Sequence, residues 1–153
     1  MIIISLFIDF KNFNYYGKLT INRGFWLTFL LSIVTFGFYG LYLIHAFAKE
    51  TNVACKGDGK NTTGLLLYFI FSLLTLGIYG IVWNCMWINR CNAYLAKNNK
   101  PEGLQLSTYL LTMFLLGPLT LGIMYIVVFC KTLYLQNAVN ATYNELNVLN
   151  TSN

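Results

Sequence analysis

Charged residues are missing from three stretches of the chain, residues 24–48, 64–88 and 104–130, which are 25, 25 and 27 residues long and almost continuously apolar. Each exceeds the roughly 18 apolar residues that mark a membrane-spanning helix. The pattern predicts an all-α, polytopic membrane protein with three transmembrane segments. An N-terminal interfacial segment or tail occupies residues 1–23, one membrane domain covers residues 24–147, and a C-terminal tail covers residues 148–153. The loops and tails are too short to hold a soluble catalytic domain.

The three stretches are copies of one unit. Laying residues 29–52 over residues 69–92, an offset of 40, pairs Phe29 with Phe69, Ser32 with Ser72 and Thr35 with Thr75. It also pairs Gly37 with Gly77, Tyr39 with Tyr79, Gly40 with Gly80 and Asn52 with Asn92. The shared string S-x-x-T-x-G-x-Y-G marks an internal repeat, with copies at about 24–52, 64–92 and 104–137. The third copy needs two registers: Thr112 lies 40 residues after Ser72, whereas Thr120, Gly122 and Asn137 lie 45 after Thr75, Gly77 and Asn92. Five residues are therefore inserted within LLGPLTLG.

In an unbroken helix, five extra residues would rotate everything beyond them by about 500°, or about 140° net, and misalign the packed face. A break absorbs them. Gly37, Gly77 and Gly122 can take the left-handed conformation that ends a helix, and Gly117-Pro118 is a strong breaker. Thr35 and Thr75 can return a hydroxyl to a freed carbonyl. Three kinked or broken helices follow, one per repeat. The competing reading of the glycines is that they only permit close helix contact.

Composition strengthens the membrane reading, since 57% of residues are apolar, 17% aromatic and 10% charged, against about 25% charged in an ordinary soluble domain. The net charge of +5 leaves the orientation open. With three spans, Lys11, Lys18, Arg23, Arg90, Lys97 and Lys100 fall on one side and Lys49, Lys56, Lys60 and Lys131 on the other, a small bias toward a cytoplasmic N-terminus. If each break were a hairpin, all ten cations would stay cytoplasmic. Each limb would then have only about 12 apolar residues, roughly 18 Å against a ~30 Å hydrocarbon core. Length thus favours complete spans, and charge favours hairpins.

The N-terminal run MIIISLFIDF lacks the positive cluster and cleavage site of a signal peptide. Phe7, Phe10, Phe13, Tyr15 and Tyr16, interleaved with Lys11 and Lys18, suit the headgroup level or a poorly ordered tail. Cys55, Cys85, Cys91 and Cys130 show neither a C-x-x-C pair nor a histidine set, so no disulfide framework, zinc site or other cofactor is expected.

Candidate chemistry is sparse. Asp9, Glu50, Asp58, Glu102 and Glu145 are scattered singly through tails and loops, without the convergence that catalysis needs. The expectation is a protein that is not an enzyme. His45 reads as an interfacial or packing histidine, and Asn84, where the first copy has Ile44, as an interhelical hydrogen-bonding group.

The strings LLSIVTFGFYGLY, GDGKNTTGLLLYFIFSLLTLGIYGIVW and YLLTMFLLGPLTLGIMY, with a closing YNELN, resemble the bacterial family known as domain of unknown function 4234. The likeness runs from about Arg23 to Asn147. It implies a small integral protein of the cytoplasmic membrane built on a T-x-G-[IF]-Y-G theme, with a polar connector at residues 57–64 and no established activity. The first copy departs from the family pattern at Tyr42-Leu43, which replaces a Tyr-Trp, and in the second Val82-Trp83 keeps only the Trp. The expected function is structural or interactive, as an oligomeric bundle or an accessory subunit. A small-solute transporter and a bilayer-shaping protein with re-entrant hairpins are the alternatives. Expected partners are the lipid bilayer and a second copy or another membrane protein, not nucleic acid.

Overall fold

The computed structural model describes residues 17–147, so the readings of residues 1–16 and of the tail at 148–153 lie outside the described residues. Among the described residues the fold is all-α. Helix α1 (Phe25–Val34) is followed by α2 (Phe38–Ala54) and a 3-10 turn (Lys56–Asp58), and α3 (Leu65–Leu74) by α4 (Ile78–Lys97). In the third copy α5 (Leu106–Leu111) runs through a π turn (Thr112–Leu116) into the short α6 (Gly117–Leu119), and α7 (Ile123–Asn147) closes the order.

Each apolar stretch breaks where the repeat glycine predicted, and it then doubles back. Tyr68 of α3 lies edge-on to Trp83 of α4 with ring centroids 5.4 Å apart, and Phe71 lies 5.1 Å from Tyr79. In a straight helix Tyr68 and Trp83 would be about 22 Å apart. The Trp83 indole N–H donates to the Thr63 carbonyl at 2.9 Å, and in the third copy the Tyr125 hydroxyl donates to the Met113 carbonyl at 3.2 Å. Arg23, just before α1, pairs with Glu50 on α2.

The expectation of three transmembrane helices is corrected here. Among the described residues no helix is long and apolar enough to cross a membrane. Each uncharged stretch is divided between two antiparallel limbs, of which α1 and α3 have 10 residues each, about 15 Å of rise. The fold is three helical hairpins in succession, and the polytopic arrangement finds no support in it.

Hairpins rather than spans also explain how the third copy absorbs its insertion. Its first limb is longer and carries the π turn, in which the Gly117 N–H reaches the Thr112 carbonyl. Pro118 has no N–H to continue the ladder, and the Tyr125 hydroxyl supplies the missing donor to Met113. Tyr125 lies so close over Gly117 that its ring leaves no room for a Cβ there.

The three second limbs pack in parallel, with repeat-equivalent residues facing one another. Thr51, Cys91 and Gln136 occupy the same repeat position; the Thr51 hydroxyl donates to Gln136 Oε1 at 3.2 Å and lies 3.8 Å from Cys91 Sγ. The Trp87 indole N–H donates to both Thr51 Oγ1 and Gln136 Oε1 at 3.1 Å, and Trp87 stacks on Phe47 at 5.2 Å. Above and below, the sets Leu43, Trp83, Val128 and Ala48, Ile88, Leu133 are all buried. Parallel second limbs carry all three turns to one end of the molecule.

Candidate functional site

The turn end is built by the T-x-G motif. Gly37 N–H bonds the Ser32 carbonyl at 2.7 Å and Phe36 N–H the Ile33 carbonyl at 3.1 Å, a double bond pattern that ends a helix on a left-handed residue. That residue is not the glycine alone: Phe36, Leu76 and Leu121 have φ of 50°, 51° and 50°, each followed by a glycine at 89° to 93°. The threonine joins the two limbs. Thr35 Oγ1 donates to the Leu31 carbonyl at 2.7 Å and accepts the Tyr39 N–H at 2.9 Å. Thr75 does the same between Phe71 and Tyr79, and Thr120 between Leu116 and Met124.

Phe36, Leu76 and Leu121, at the tips of the three turns, are each 95% exposed. Around them Phe38, Leu73, Leu74, Ile78, Leu119 and Ile123 are also exposed. The turn end is therefore lined by exposed apolar side chains.

The opposite end is polar and tightly bonded. Asn52 Oδ1 accepts the Thr62 N–H at 2.7 Å while its Nδ2 donates to the Thr62 carbonyl at 2.9 Å. Asn137 holds Arg23 by the same two backbone groups, and Asn92 donates to the Leu104 carbonyl at 2.7 Å. Thr62, Leu104 and Arg23 each lie two or three residues before a first limb. Every second limb therefore clamps the entrance of the next hairpin, and the third clamps the first, closing a ring.

Two ion pairs sit in this layer. Arg23 forks onto both oxygens of Glu50, whose side chain is 1% exposed, and Asn140 Nδ2 donates to Glu50 Oε2 at 2.7 Å. Gln136 Nε2 donates to Asn140 Oδ1 at 2.8 Å, joining the pair to the axis. Arg90 binds Asp58 through Nε and Nη2 at 2.7 and 3.0 Å, and also Thr62 Oγ1 and the Lys60 carbonyl. The hydrogen bond from Arg90 holds the Asp58 carboxyl below its ordinary range.

Several residues singled out by sequence stand elsewhere. Asn84 is half-buried and donates to the Gly80 carbonyl of its own helix at 2.8 Å, so the interhelical bond expected of it is not made. With Gly80 one turn back, its amide is satisfied locally. His45 is exposed beside Leu41 and residues 64–67. Ser32 bonds the Thr28 carbonyl, whereas the buried Ser72 hydroxyl has no partner. Gly37 and Gly77 have open space where a Cβ would stand, which makes their role conformational; a Cβ on Gly80 would instead meet the Tyr68 hydroxyl at 3.0 Å. Gly40 has open space too. Cys55 and Cys91 are buried, which pushes the Cys55 thiol up to about 11 and Cys91 higher still. Among the described residues no group of His, Cys, Asp or Glu is arranged to hold a metal ion.

The clamps and the Arg23–Glu50 pair were not anticipated, although the match of Asn52, Asn92 and Asn137 in the repeat register was a visible signal of the clamps.

A family model described as Domain of unknown function (DUF4234) matches the chain twice, over residues 23–93 and residues 63–134. The second match begins 40 residues after the first, so each starts at the entrance of one hairpin and ends within the second limb of the next, and the pair is displaced by one repeat. No curated protein and no solved structure matches the chain.

Proposed function

The chain belongs to the domain of unknown function 4234 family over residues 23–134, and we propose, from the placement of its exposed apolar residues, that it is a monotopic protein of the cytoplasmic membrane. In this reading it is a non-catalytic, structural element that seats three hairpin tips in one leaflet and shapes the bilayer or anchors a complex to it. The observation that carries the reading is the exposure of Phe36, Leu76 and Leu121, 95% each, on one end of the molecule while the clamps and ion pairs lie at the other.

Burying a fully exposed Leu or Phe is worth about 1.5–3 kcal/mol. Hydrocarbon also demands that backbone groups be satisfied internally, and at each turn the threonine hydroxyl and the helix-ending bonds do this. A limb of about 15 Å reaches halfway into a ~30 Å core. The arrangement leaves the described Lys and Arg residues on one face of the bilayer, which accords with the positive-inside rule better than three spans do. The axis is filled by Trp83, Trp87, Leu95 and Leu135, which favours this reading over a conduit for solutes.

Introduced cysteines test it, because Cys55 and Cys91 are too buried to report. In a Cys85→Ala, Cys130→Ala background, Lys60→Cys and Lys97→Cys should both resist an impermeant thiol reagent in intact cells and both react after lysis. Leu76→Cys should stay unlabelled in membranes under either condition. Reaction at only one of the two lysine positions in intact cells would restore complete spans, and labelling of Leu76→Cys in membranes would remove the tips from the bilayer.

A further inference from the structure

Every junction between hairpins has a clamp, and two of the three also hold a guanidinium. At the first junction Arg90 donates to Asn52 Oδ1 and pairs with Asp58, and where the third hairpin meets the first, Arg23 pairs with Glu50. The repeat position of Glu50 and Arg90 is Leu135 in the third copy, and Leu135 packs on Gly103, where a Cβ would lie 2.9 Å from it. The junction between the second and third hairpins is therefore left with acceptors and no cation to meet them. Asn92 Oδ1 is buried without a partner. Among the described carboxylates Glu50, Asp58 and Glu145 each have a cation, whereas Glu102 stands outside these pairs. Asn92 and Glu102 line one cavity of about 530 Å³, together with Asn89, Ala96, Gln105 and Ser107. Lys97 lines a different cavity with Asp58 and Arg90, and Lys100 is bound to Glu145.

We propose that this cavity binds the primary ammonium group of an amine, with Glu102 as its counter-ion and the amide oxygens of Asn89, Asn92 and Gln105 as acceptors. The carboxylate sets the sign of the ligand, because no Lys, Arg or His lines the cavity. An ammonium offers three N–H donors and no acceptor, which matches a carboxylate surrounded by amide and hydroxyl oxygens. Hydrogen bonds between an ionised donor and a carboxylate are the strong class, and a buried amide oxygen without a donor is costly until one arrives. The chain itself displays the fit at its first junction, where the same two acceptor types, Asn52 Oδ1 and Asp58, are filled by N–H groups of Arg90. The ammonium chemistry is shared by an ethanolamine phospholipid headgroup and by a soluble amine. It needs only the polar end of the molecule, so it holds with or without the single-leaflet reading.

Two measurements on the full chain in mild detergent test this. Thermal unfolding with ethanolamine or choline added reads a soluble amine, and native mass spectrometry with phosphatidylethanolamine or phosphatidylcholine of the same acyl chains reads a headgroup. The primary amine should act at about tenfold lower concentration than its trimethylated counterpart, which keeps the charge and has no N–H to donate. That preference in the lipid measurement supports the site and assigns it to a headgroup; in the soluble measurement it supports the site and assigns it to a free amine. Glu102→Gln, at an exposed position, should reduce the primary amine to the level of the trimethylated one. Ala96→Lys, which tethers an ammonium at an exposed position on the cavity wall, should abolish the preference while the protein stays at least as stable as wild type. Absence of a preference in both measurements on wild type, or a preference unchanged by either variant, overturns the proposal. So does stabilisation by calcium chloride that Glu102→Gln removes and ethanolamine does not compete with, which assigns the cavity to a metal ion.

Discussion

Asn137 grips Arg23 across 114 residues of sequence, donating to its carbonyl at 3.1 Å and accepting its N–H at 3.4 Å. The same grip recurs from Asn52 to Thr62, with shorter bonds and the Arg90 guanidinium added on Asn52 Oδ1. Asn92 makes only the bond to the Leu104 carbonyl, and its buried Oδ1 has no partner.

The clamps should therefore differ in strength. Alanine at Asn52 should cost most, about 2–3 kcal/mol, because it frees two backbone groups and a guanidinium contact; Asn137→Ala should cost about 1–2, and Asn92→Ala about 1 or less. Thermal unfolding in one detergent would rank them. An Asn92→Ala loss as large as that of Asn52→Ala would contradict the geometry.

Glu50 and Arg23 are both enclosed, with side chains 1% and 5% exposed. Removing one charge strands the other, so Glu50→Gln should destabilise by about 3–5 kcal/mol. Glu145→Gln breaks the solvated pair with Lys100 and should cost less than about 1 kcal/mol. Urea titrations of the two variants, run side by side, give the comparison.

Asp58 supplies a pH signature. The hydrogen bond from Arg90 lowers its carboxyl in the folded chain from the ordinary value of 3.8. A lowered folded value means the contribution to stability is fully present above the unfolded value and fades as pH falls through the folded one. The stability difference between wild type and Asp58→Asn should be constant from neutral pH to about 5 and shrink below 4. A gap that does not shrink at all as pH falls below 4 would show that Asp58 acts through packing and not through charge.

Leu76→Gly separates stability from insertion. Leucine in the left-handed region costs about 1–2 kcal/mol that glycine does not pay, so the variant should unfold at an equal or higher temperature in detergent. It should also bind vesicles less tightly, by about 1.5–3 kcal/mol for the lost side chain. Weaker binding together with lower stability would mean that the tip side chain packs within the protein.

The repeat, its central breaks and the role of Gly37 and Gly77 were legible in sequence, because a left-handed position selects for small residues and leaves a string that can be aligned. Direction after the break was not. A helix that kinks and one that turns back need the same glycine, and the second left-handed residue, Phe36 or Leu76, carries no mark of its conformation. The axis was hidden for another reason. Thr51, Cys91 and Gln136 bond to one another, so repetition there gives way to complementarity and the alignment shows no identity. Asn84 misled because a side-chain amide in an apolar stretch can be satisfied within its own helix, by a carbonyl that alignment does not reveal.

The closing of the ring through Asn137 has a consequence for the order of the chain. Leu19 is held by both backbone groups on Asn144, at 2.8 Å each, so the start of the described fold lies against its last helix. With the two ends already adjacent, the hairpins have no intrinsic first member. A circularly permuted chain, opened in the connector at residues 59–61 and joined from the region of Asn147 to Lys18, retains the Asn137 and Asn92 clamps intact and leaves only the Asn52 junction without a covalent link. By the same logic the three copies are three subunits of a trimer written into one polypeptide, free to diverge where equivalence would have forbidden it.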